Sequence, residues 1–522
     1  MRGVGTRAWL RLMGALLLPL VSMAIVPFYD TSEPRYAEIA RLMAQSGDWI
    51  TPWFSPGVPF WGKPPLSFWA QALCMRLFGF TEFAARLPAW ICLLLSDGIL
   101  IAGLRPMKGL RVAVLAATIY STCTLVYICS GAVLTDPFLA LGTTLSLVSF
   151  AAAVHGRIAP AEAQAPARPP LSGASGKSAR HWRPYGFFIG IGIGLLAKGP
   201  LAAVLIFAPI LTWHALNRKT VSLRAALPWG KGLLLAAGLS LPWYVLAELR
   251  TPGFLNYFIV GEHFRRFLDP GWTGDLYGSA HQRAHGTIWL YWLLATFPWG
   301  LWALAILAGA FRSPGLRAAL KKTARDPLFG YWLAAALSAP VFFTFSSNIL
   351  WTYVLPSLAG FSVLIAISAA ELDSRPGRGG TALSAAAAIV PACVLAFSAI
   401  VCASPDLLNT ERGLVRYAMR QHGPALALLY FSELPFSARF YSAGQARRIT
   451  EGELGKALEC SSSFFLAVPK QSRKIVSDML REPLGELYAN KRYILIKIPG
   501  PKSCGGHIAG KRMLAKAAAS AG

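Results

Sequence analysis

The chain has 522 residues, of which 55% are hydrophobic and only 14% are charged, and its formal net charge is +26. This composition excludes an ordinary soluble protein of this size and indicates an integral membrane protein. The positive charge would suggest nucleic acid as a partner of a soluble protein. Here the basic residues lie in loops between apolar segments, so we expect membrane lipids and no nucleic acid.

Apolar segments recur along the chain at the length that a bilayer requires. A hydrocarbon core of about 30 Å needs about 20 mostly apolar helical residues. Eleven windows meet this requirement: 8–28, 83–104, 112–130, 134–154, 185–197, 199–216, 232–248, 287–310, 328–345, 350–371 and 381–403. We therefore predict an all-α polytopic membrane protein with about 11–13 transmembrane helices.

The charges predict which side of the membrane each loop faces. Basic residues gather in alternate loops, at 105–111, 157–183, 218–231, 312–325 and 375–378. The positive-inside rule makes these loops cytoplasmic, whereas the intervening loops hold most of the acidic residues and face outward. This alternation predicts a cytoplasmic N-terminus and an outward-facing C-terminal segment.

The loop at 28–82 is longer than a connector between two spans needs to be. Ser32 is a suitable N-cap for a helix with Glu33 in its first turn. Apolar residues then recur at helical spacing, which predicts an amphipathic helix on the membrane surface, and 66–77 predicts a second one. We expect the two surface helices to frame a polar cleft.

Charged residues stand at the ends of these two helices. Asp30 and Glu33 lie at the start of the first helix, and Lys63 lies just before the second. Their residue types alone are equally typical of helix caps and interfacial anchors. The surrounding sequence favours a functional site.

That surrounding sequence contains the runs EPRYAEIARLM, SGDW, VPFWGKPPLSFW and TEFAARLPAW. They resemble the first periplasmic loop of bacterial family-39 glycosyltransferases, within the dolichyl-phosphate-mannose protein mannosyltransferase superfamily, and are most similar to the 4-amino-4-deoxy-L-arabinose lipid A transferases. Further runs fit the same family: LTDPFLA at 135–141, GLLAKGPLA at 194–202, VGEHFRRF at 260–267, SSNILWTYVLP at 346–356 and LPFSARFYSAGQA at 434–446. The resemblance implies a GT-C fold, a polyprenyl-phosphate sugar donor and transfer at the periplasmic face of the bacterial inner membrane.

Inverting transfer from a lipid phosphosugar needs a base for the acceptor and cations for the leaving phosphate. The family has a catalytic aspartate directly before the glutamate of the first loop, but this sequence has Ser32 there, and the nearest aspartate is Asp30. We predict that Asp30 is the base, with Glu33 as the alternative. Arg35 and Tyr36 match the family pattern and are predicted to orient the carboxylate or contact phosphate.

Arg35 also has a simpler interpretation, which is an ion pair with Glu38 one turn later. Asp136 begins an apolar span, and an acid at that depth predicts a catalytic role. Capping of its own helix is the alternative, and both can hold together. Lys198 and Tyr353 stand at outward span ends and are predicted to contact substrate, unless they are a snorkelling lysine and a belt tyrosine.

The resemblance also implies a phosphate-binding role for Lys63. The family commonly has glutamate directly before this lysine, and some members use it with a downstream histidine to hold a divalent metal. Gly62 stands there in this sequence, which argues against a metal and leaves His263 as the one candidate ligand. Glu262, His263 and Arg266 lie in an outward basic loop that predicts contact with donor phosphate or, alternatively, with anionic lipid headgroups.

The predicted organisation is a transmembrane glycosyltransferase domain at 1–403 and a small periplasmic α/β domain at 404–522. The first contains a cytoplasmic linker at 156–184 and a periplasmic loop at 249–286. Short apolar runs at 425–430, 464–468 and 493–498 predict the strands of the second domain.

The predicted function is transfer of a sugar, for which the resemblance indicates 4-amino-4-deoxy-L-arabinose, to lipid A or a related envelope glycolipid. Two alternatives stay open: the same chemistry on a protein or polysaccharide, and a lipid-linked sugar flippase. The sequence leaves undecided the oligomeric state and whether Cys460 and Cys504 pair in the outward tail.

Overall fold

The structure is a computed structural model that describes residues 5–158, 184–217, 222–278, 281–372, 379–422, 426–460 and 463–499. The predicted linker at 156–184 lies almost wholly outside the described residues. Cys504 also lies outside them, so pairing of Cys460 with Cys504 stays untested. The chain divides into two compact units. The first unit comprises Met1–Ala24, Gly47–Pro52 and Phe60–Ala396, and the second comprises Ile25–Ser46, Trp53–Pro59 and Phe397–Gly522.

Among the described residues of the first unit, the regular secondary structure is helical apart from one isolated β-bridge between Gln282 and Asn348. Its helices are Thr6–Ile25, Leu66–Phe78, Glu82–Thr122, Thr124–Ser130, Asp136–Ile158, Tyr185–Lys198, Leu201–Leu216, Leu223–Ala226, Trp229–Arg250, Asn256–Arg265, Arg266–Leu268, Thr287–Thr296, Trp299–Arg312, Pro314–Ala324, Phe329–Phe343, Trp351–Ser357 and Leu358–Leu372, followed by Gly379–Ala403, which continues into the second unit. All eleven predicted windows fall on helices. The prediction of a polytopic helical membrane protein is confirmed.

Six described helices are long and apolar enough to cross a membrane by themselves. The pair Thr287–Thr296 and Trp299–Arg312, bent by 98°, makes a seventh if it is one span, and three more apolar helices are shorter. The window at 83–104 and most of the window at 112–130 lie on one 41-residue helix, Glu82–Thr122, which is broken at Gly109, whose φ of 82° suits glycine. The end of the second window forms the separate helix Thr124–Ser130. The number of 11–13 crossings therefore stays a prediction.

Glycines allow two helices of the first unit to approach closely. A Cβ on Gly190 would lie 2.4 Å from the carbonyl oxygen of Gly142, and a Cβ on Gly142 would lie 2.7 Å from that of Gly190. Small residues at such a contact are the usual means of packing helices in membranes. The contact joins Asp136–Ile158 to Tyr185–Lys198, so the first residue of one helix meets the last residue of the other.

The second unit contains a five-stranded sheet between helices. Three strands, Leu428–Phe431, Arg447–Ile449 and Phe464–Pro469, are parallel, with Leu428–Phe431 in the middle. Tyr493–Ile498 pairs with Phe464–Pro469 in antiparallel register, and Glu486–Ala489 forms the edge. The three predicted apolar runs overlap three of these strands, so the sheet is consistent with the predicted small α/β domain, whose bounds and periplasmic placement stay predictions.

Apolar side chains alternate between the two faces of this sheet. Tyr430, Phe465 and Leu495 belong to one buried cluster, and Phe431 and Leu466 belong to another. The helices of the unit are Ser32–Ser46, Pro405–Leu407, Arg412–His422, Phe436–Tyr441, Glu451–Cys460, Lys470–Ser472 and Arg473–Leu480, and a small hairpin joins Trp53–Ser55 to Val58–Pro59. Both sheet faces are therefore covered, as expected for parallel strands.

The helix predicted at the start of the first loop exists as Ser32–Ser46, but its surroundings differ from the prediction. Ten of its fifteen residues are buried, including the charged Glu38 and Arg41. Arg41 donates to both carboxylate oxygens of Glu38 at 2.6 Å, which compensates their burial. The helix contacts Phe436–Tyr441 of the same unit, so it is more enclosed by protein than an amphipathic helix on a membrane surface would be.

Candidate active site

The first unit holds a cavity of about 520 Å³. Six of the predicted site residues line it: Lys63, Lys198, Glu262, His263, Arg266 and Tyr353. The rest of the lining is mostly apolar and consists of Pro200, Leu201, Val204, Phe258, Phe264, Phe267, Leu268, Phe342, Phe343, Ser346 and Asn348. We call this the cationic cavity, because its lining carries three cations and one carboxylate.

Lys198 occupies the last turn of its helix and pairs with Asp136. Its ammonium lies 3.1 Å from Asp136 Oδ1 and 5.7 Å from the centre of the Tyr353 ring. The lysine and aspartate side chains are only 10% and 8% exposed, so each charge depends on its partner. The close contact between Gly142 and Gly190 brings Lys198 and Asp136 together. Asp136, Lys198 and Tyr353, which the sequence predicts from separate runs, therefore form one group.

Glu262 is the centre of a second group at the same cavity. Lys63 Nζ lies 3.1 Å from Glu262 Oε2, and the Tyr257 hydroxyl donates to Oε1 at 3.2 Å. Arg266 donates to Glu262 at 3.2 Å and to Asp275 at 3.1 Å. Burial raises the pKa of Glu262, but Lys63 and then Arg266 outweigh it, so the pKa is lowered overall.

Local backbone geometry positions the basic residues of this loop. Asn256–Arg265 forms a π-helix, a rare conformation that is frequent at functional sites. Asn348 holds the turn that follows by donating to the carbonyl oxygens of Arg266 and Asp269 at 2.7 Å each and accepting from Gly271 N at 3.2 Å. The sequence analysis did not predict Asn348 as a site residue. Its position in the run SSNILWTYVLP, which resembles the family, could have indicated it.

His263 is buried beside this group. Its Nδ1 lies 2.8 Å from the carbonyl oxygen of Phe258, and its Nε2 lies 2.9 Å from that of Lys198. Burial lowers the pKa of the ring, against the effect of these two carbonyl groups. His263 therefore holds the end of the Lys198 helix to the basic loop.

The same contacts do not fit a metal ligand. Both ring nitrogens of His263 face backbone carbonyl oxygens, and the carboxylate of Glu262 is bound by Lys63 and Arg266. A Cβ on Gly62 would lie 2.9 Å from the Phe60 ring, so there is little space for the family's glutamate. Among the residues that the structure describes, no three His, Cys, Asp or Glu side chains form a group suited to a metal.

Asp30 belongs to the second unit, where its carboxylate is enclosed by hydrogen-bond donors. Ser437 N donates to Oδ1 at 2.8 Å, and Ser437 Oγ and Arg492 Nη2 donate to Oδ2 at 2.6 and 2.5 Å. The side chain is 4% exposed. Arg492 also binds the fully buried Glu411, and neither residue was predicted. No local sequence signal singles them out.

The other predicted residues of the first loop lie on the helix Ser32–Ser46. Glu33 and Tyr36 are buried, and the Arg35 guanidinium stacks on the Tyr36 ring at 5.1 Å. Glu38, the alternative partner considered for Arg35, is bound by Arg41. The catalytic and binding roles of these residues stay predictions.

Comparison with known proteins gives matches in both sequence and structure. Residues 17–258 match the family model described as dolichyl-phosphate-mannose-protein mannosyltransferase. An undecaprenyl phosphate-α-4-amino-4-deoxy-L-arabinose arabinosyl transferase of Edwardsiella ictaluri is 30% identical over 67% of this chain and 57% of its own length. A second transferase of the same name, numbered 2, from Sodalis glossinidius is 30% identical over 69% of this chain and 58% of its own length.

The matched region thus spans less than three fifths of the length of these curated relatives. Among solved structures, ArnT from Cupriavidus metallidurans bound to undecaprenyl phosphate superposes with a TM-score of 0.73 at 16% identity, over 95% of this chain and 100% of that one. At this identity the likeness shows a shared fold. The sequence matches confirm the resemblance that the motifs predict, which is a similarity to the dolichyl-phosphate-mannose-protein mannosyltransferases and to the arabinosyl transferases.

Proposed function

We propose that this protein is an integral membrane glycosyltransferase that moves 4-amino-4-deoxy-L-arabinose from a polyprenyl phosphate to lipid A or a related envelope glycolipid. We place the reaction at the periplasmic face of the bacterial inner membrane, with a cytoplasmic N-terminus. The observation that carries this proposal is the cationic cavity, which combines three largely buried cations with an apolar wall. The names of the curated relatives support the choice of donor.

In this reaction an acceptor hydroxyl oxygen attacks the anomeric carbon of the sugar. The bond from that carbon to the phosphate oxygen breaks, the polyprenyl phosphate leaves with the bonding electrons, and a carboxylate takes the hydroxyl proton. Lys63, Lys198 and Arg266 supply the positive charge that the leaving phosphate needs. Because their side chains are at most 18% exposed, water screens them little.

The apolar part of the lining suits the hydrocarbon of the donor. Leu201, Val204, Phe264, Phe267 and Phe342 line the same cavity as the cations. Burial of isoprenoid carbon against such side chains is favourable, at about 25 cal/mol per Å² of apolar surface. A free phosphate would gain nothing from this wall, which favours a lipid phosphate as the ligand.

Three of the predicted residues, Asp30, Glu33 and Asp136, are the candidates for the carboxylate that takes the hydroxyl proton. Asp136 borders the cavity through its ion pair with Lys198, whereas Asp30 and Glu33 belong to the first loop. Asp136 has a defined task in either case, since it holds the Lys198 ammonium in place. Comparison of Asp30→Ala, Glu33→Ala and Asp136→Ala in one transfer assay ranks the three carboxylates by how much transfer depends on each.

The chemistry is tested by transfer of the labelled sugar from its polyprenyl phosphate to lipid A in membranes. Lys63→Met and Lys198→Met keep the apolar stems and remove the charges, and we expect each to lower transfer on the order of 10²- to 10³-fold. Lys322→Met is the control, because Lys322 forms an exposed pair with Glu371. No transfer by the wild type, or equal transfer by all variants, contradicts the proposal.

The acceptor is tested separately in cells. Deletion of the gene should remove the added sugar from lipid A, as seen by mass spectrometry, and the wild-type gene should restore it. An unchanged lipid A profile together with active transfer in membranes would instead favour a protein or polysaccharide acceptor. Donor translocation without transfer would favour the flippase.

A further inference from the structure

The second unit contains a cluster of buried charged and polar side chains around Arg492. We define it as Asp30, Glu411, Ser437, Asn490 and Arg492, and call it the Asp30–Arg492 cluster. One nitrogen of Arg492, Nη2, donates to Asp30 at 2.5 Å and to Glu411 at 2.8 Å. Two carboxylates thus share one guanidinium, although 462 positions in sequence separate Asp30 from Arg492.

The C-terminal side of the cluster is held by its own backbone. Asn490 Oδ1 accepts hydrogen bonds from the backbone nitrogens of Arg492 and Tyr493, at 2.9 and 2.8 Å, just before a central strand of the sheet. Asn490 Nδ2 donates to Glu411 at 2.8 Å. Lys470 N donates to the carbonyl oxygen of Arg492 at 2.8 Å. The α/β fold therefore fixes Arg492 and Glu411 without help from the first loop.

The loop at 28–82 binds to this part of the second unit through the backbone of Phe28 and Asp30 and through the Asp30 carboxylate. Asp30 N donates to the carbonyl oxygen of Asn409 at 2.8 Å, and Phe28 N donates to the Tyr441 hydroxyl at 2.8 Å. The Phe28 ring lies 4.9 Å from that of Phe440. These contacts immediately precede the helix Ser32–Ser46, which carries Glu33, Arg35 and Tyr36. They fix where that helix begins.

We propose that Asp30 and Arg492 are positioning residues, which hold the start of this helix and thereby place its candidate catalytic and binding side chains. The inference rests on the proposed function for its effect on catalysis. A general base must reach the proton that it takes. The carboxylate of Asp30 instead accepts three hydrogen bonds within its own unit and is nearly inaccessible.

The charges of the cluster explain why Arg492 is needed. Burial raises the pKa of Glu411, and the neighbouring Asp30 adds to the effect, against the opposing influence of Arg492. The two acids raise the pKa of Arg492 in turn, despite its partial burial. Removal of the guanidinium would leave two carboxylates facing each other, which repel and release the loop.

The polar groups of the LPFSARFYSAGQA run serve the same purpose, because they bind the first loop. Ser437 supplies two of the three donors to Asp30, Tyr441 accepts from Phe28 N, and a Cβ on Gly444 would lie 2.8 Å from Arg41 Nη2. This run resembles the family although it lies far from the first loop in sequence. In the structure it forms the surface that receives the loop.

Hydrogen exchange of the full-length protein in nanodiscs tests the positioning directly. We expect Asp30→Asn and Arg492→Gln each to speed amide exchange in residues 28–46 by about tenfold or more, because local opening becomes easier. Arg492→Lys keeps the charge and should restore part of the protection. Arg473→Gln is the control, since its pair with Glu486 at 3.9 Å is exposed. Unchanged exchange in both test variants overturns the inference.

Kinetics then distinguish positioning from base catalysis. As positioning residues, Asp30→Asn and Arg492→Gln should lower kcat similarly, on the order of 10- to 10²-fold, with the KM for donor little changed. The kcat of the double variant should be no lower than that of the less active single variant, because both changes break the same contact. A base predicts a far greater loss for Asp30→Asn and near-normal kcat for Arg492→Gln, which would overturn the proposal.

The two readouts keep this inference separate from the proposed function. If the wild type transfers no sugar, the proposed function fails, while hydrogen exchange still decides whether the cluster holds the loop. If Arg492→Gln does not accumulate in membranes, Asp30→Asn and Arg492→Lys provide the same comparison. Faster exchange with unaltered kcat would show a structural contact only and would reject the catalytic part.

Discussion

The cationic cavity and the Asp30–Arg492 cluster use the same residue types in different ways. In the cavity, Lys63, Lys198 and Arg266 line an open volume of about 520 Å³ together with apolar side chains. In the cluster, Asp30 and Glu411 are 4% and 0% exposed and are enclosed by donors from the same unit. The first arrangement leaves space for a ligand, whereas the second consists of contacts between parts of the chain.

This difference shows how a buried charge is best interpreted. Burial and a perturbed pKa occur at both places, so neither one identifies a binding site by itself. What separates them is whether the charged groups border a space that a substrate can enter. By that criterion the cavity is the candidate donor site, and the cluster positions the loop.

The largest expected effect comes from the acid that orients a cavity cation. Asp136→Asn removes the partner of the buried Lys198 ammonium, and we expect transfer to fall on the order of 10²- to 10³-fold. Asp136→Glu keeps the charge and should retain more activity than Asp136→Asn. Equal activity of Asp136→Asn and wild type in the membrane transfer assay would show that transfer does not need the Asp136–Lys198 ion pair.

The next prediction concerns the glycine contact behind the same pair. Gly190→Val places side-chain atoms against the Gly142 carbonyl oxygen, and such overpacking costs about 1–3 kcal/mol. Thermal unfolding of the purified protein in detergent measures the loss. Gly98→Val is the matched control, because a Cβ there meets nothing within 4 Å. A similar loss in both variants would mean that the close contact is not the cause.

A smaller effect is expected at the surface that receives the first loop. Gly444 has a φ of +78°, and its Cβ would lie 2.8 Å from Arg41 Nη2. Gly444→Ala should destabilise the second unit by about 1–2 kcal/mol, because a side chain disfavours this backbone conformation. Denaturant unfolding followed by near-ultraviolet circular dichroism measures it, with Gly485→Ala as the control. The prediction fails if the two variants unfold alike.

The smallest effect should appear as a pH dependence of the first unit. Burial lowers the pKa of His263, so the folded protein binds fewer protons there than the unfolded chain. Its stabilising contribution is present above the unfolded value of about 6.5 and is lost as pH falls, at no more than about 1.4 kcal/mol per pH unit. His263→Gln should flatten the dependence of the melting temperature between pH 7 and 5. An unaltered slope would assign that dependence to other groups.

Much of the fold was predictable because hydropathy is a local property. Every apolar window corresponds to a helix, and the runs at 464–468 and 493–498 became strands. The interruption at Gly109 was also implied by two adjacent windows. Burial of Glu38 and Arg41 was not predictable, since the helix that contacts theirs, Phe436–Tyr441, lies about 400 residues away in the sequence.

The candidate site was predictable where motifs carried it. Six of the eleven residues proposed from the sequence line one cavity, although they come from four separate runs. Asn348 lay in one of these runs and was overlooked. Arg492 and Glu411 stand in ordinary surroundings, and nothing local distinguishes them from surface charges.

By itself, the sequence determined the helices, the small sheet and the residue types of a lipid-phosphate site, because all of these depend on neighbours within a few turns or strands. Only the tertiary structure decided which charges meet. Lys198 joins Asp136 because glycines let two helices approach, and Arg492 joins Asp30 because the sheet presents it to the first loop. Such pairings minimise the cost of burying charge, which depends on the whole fold rather than on any segment.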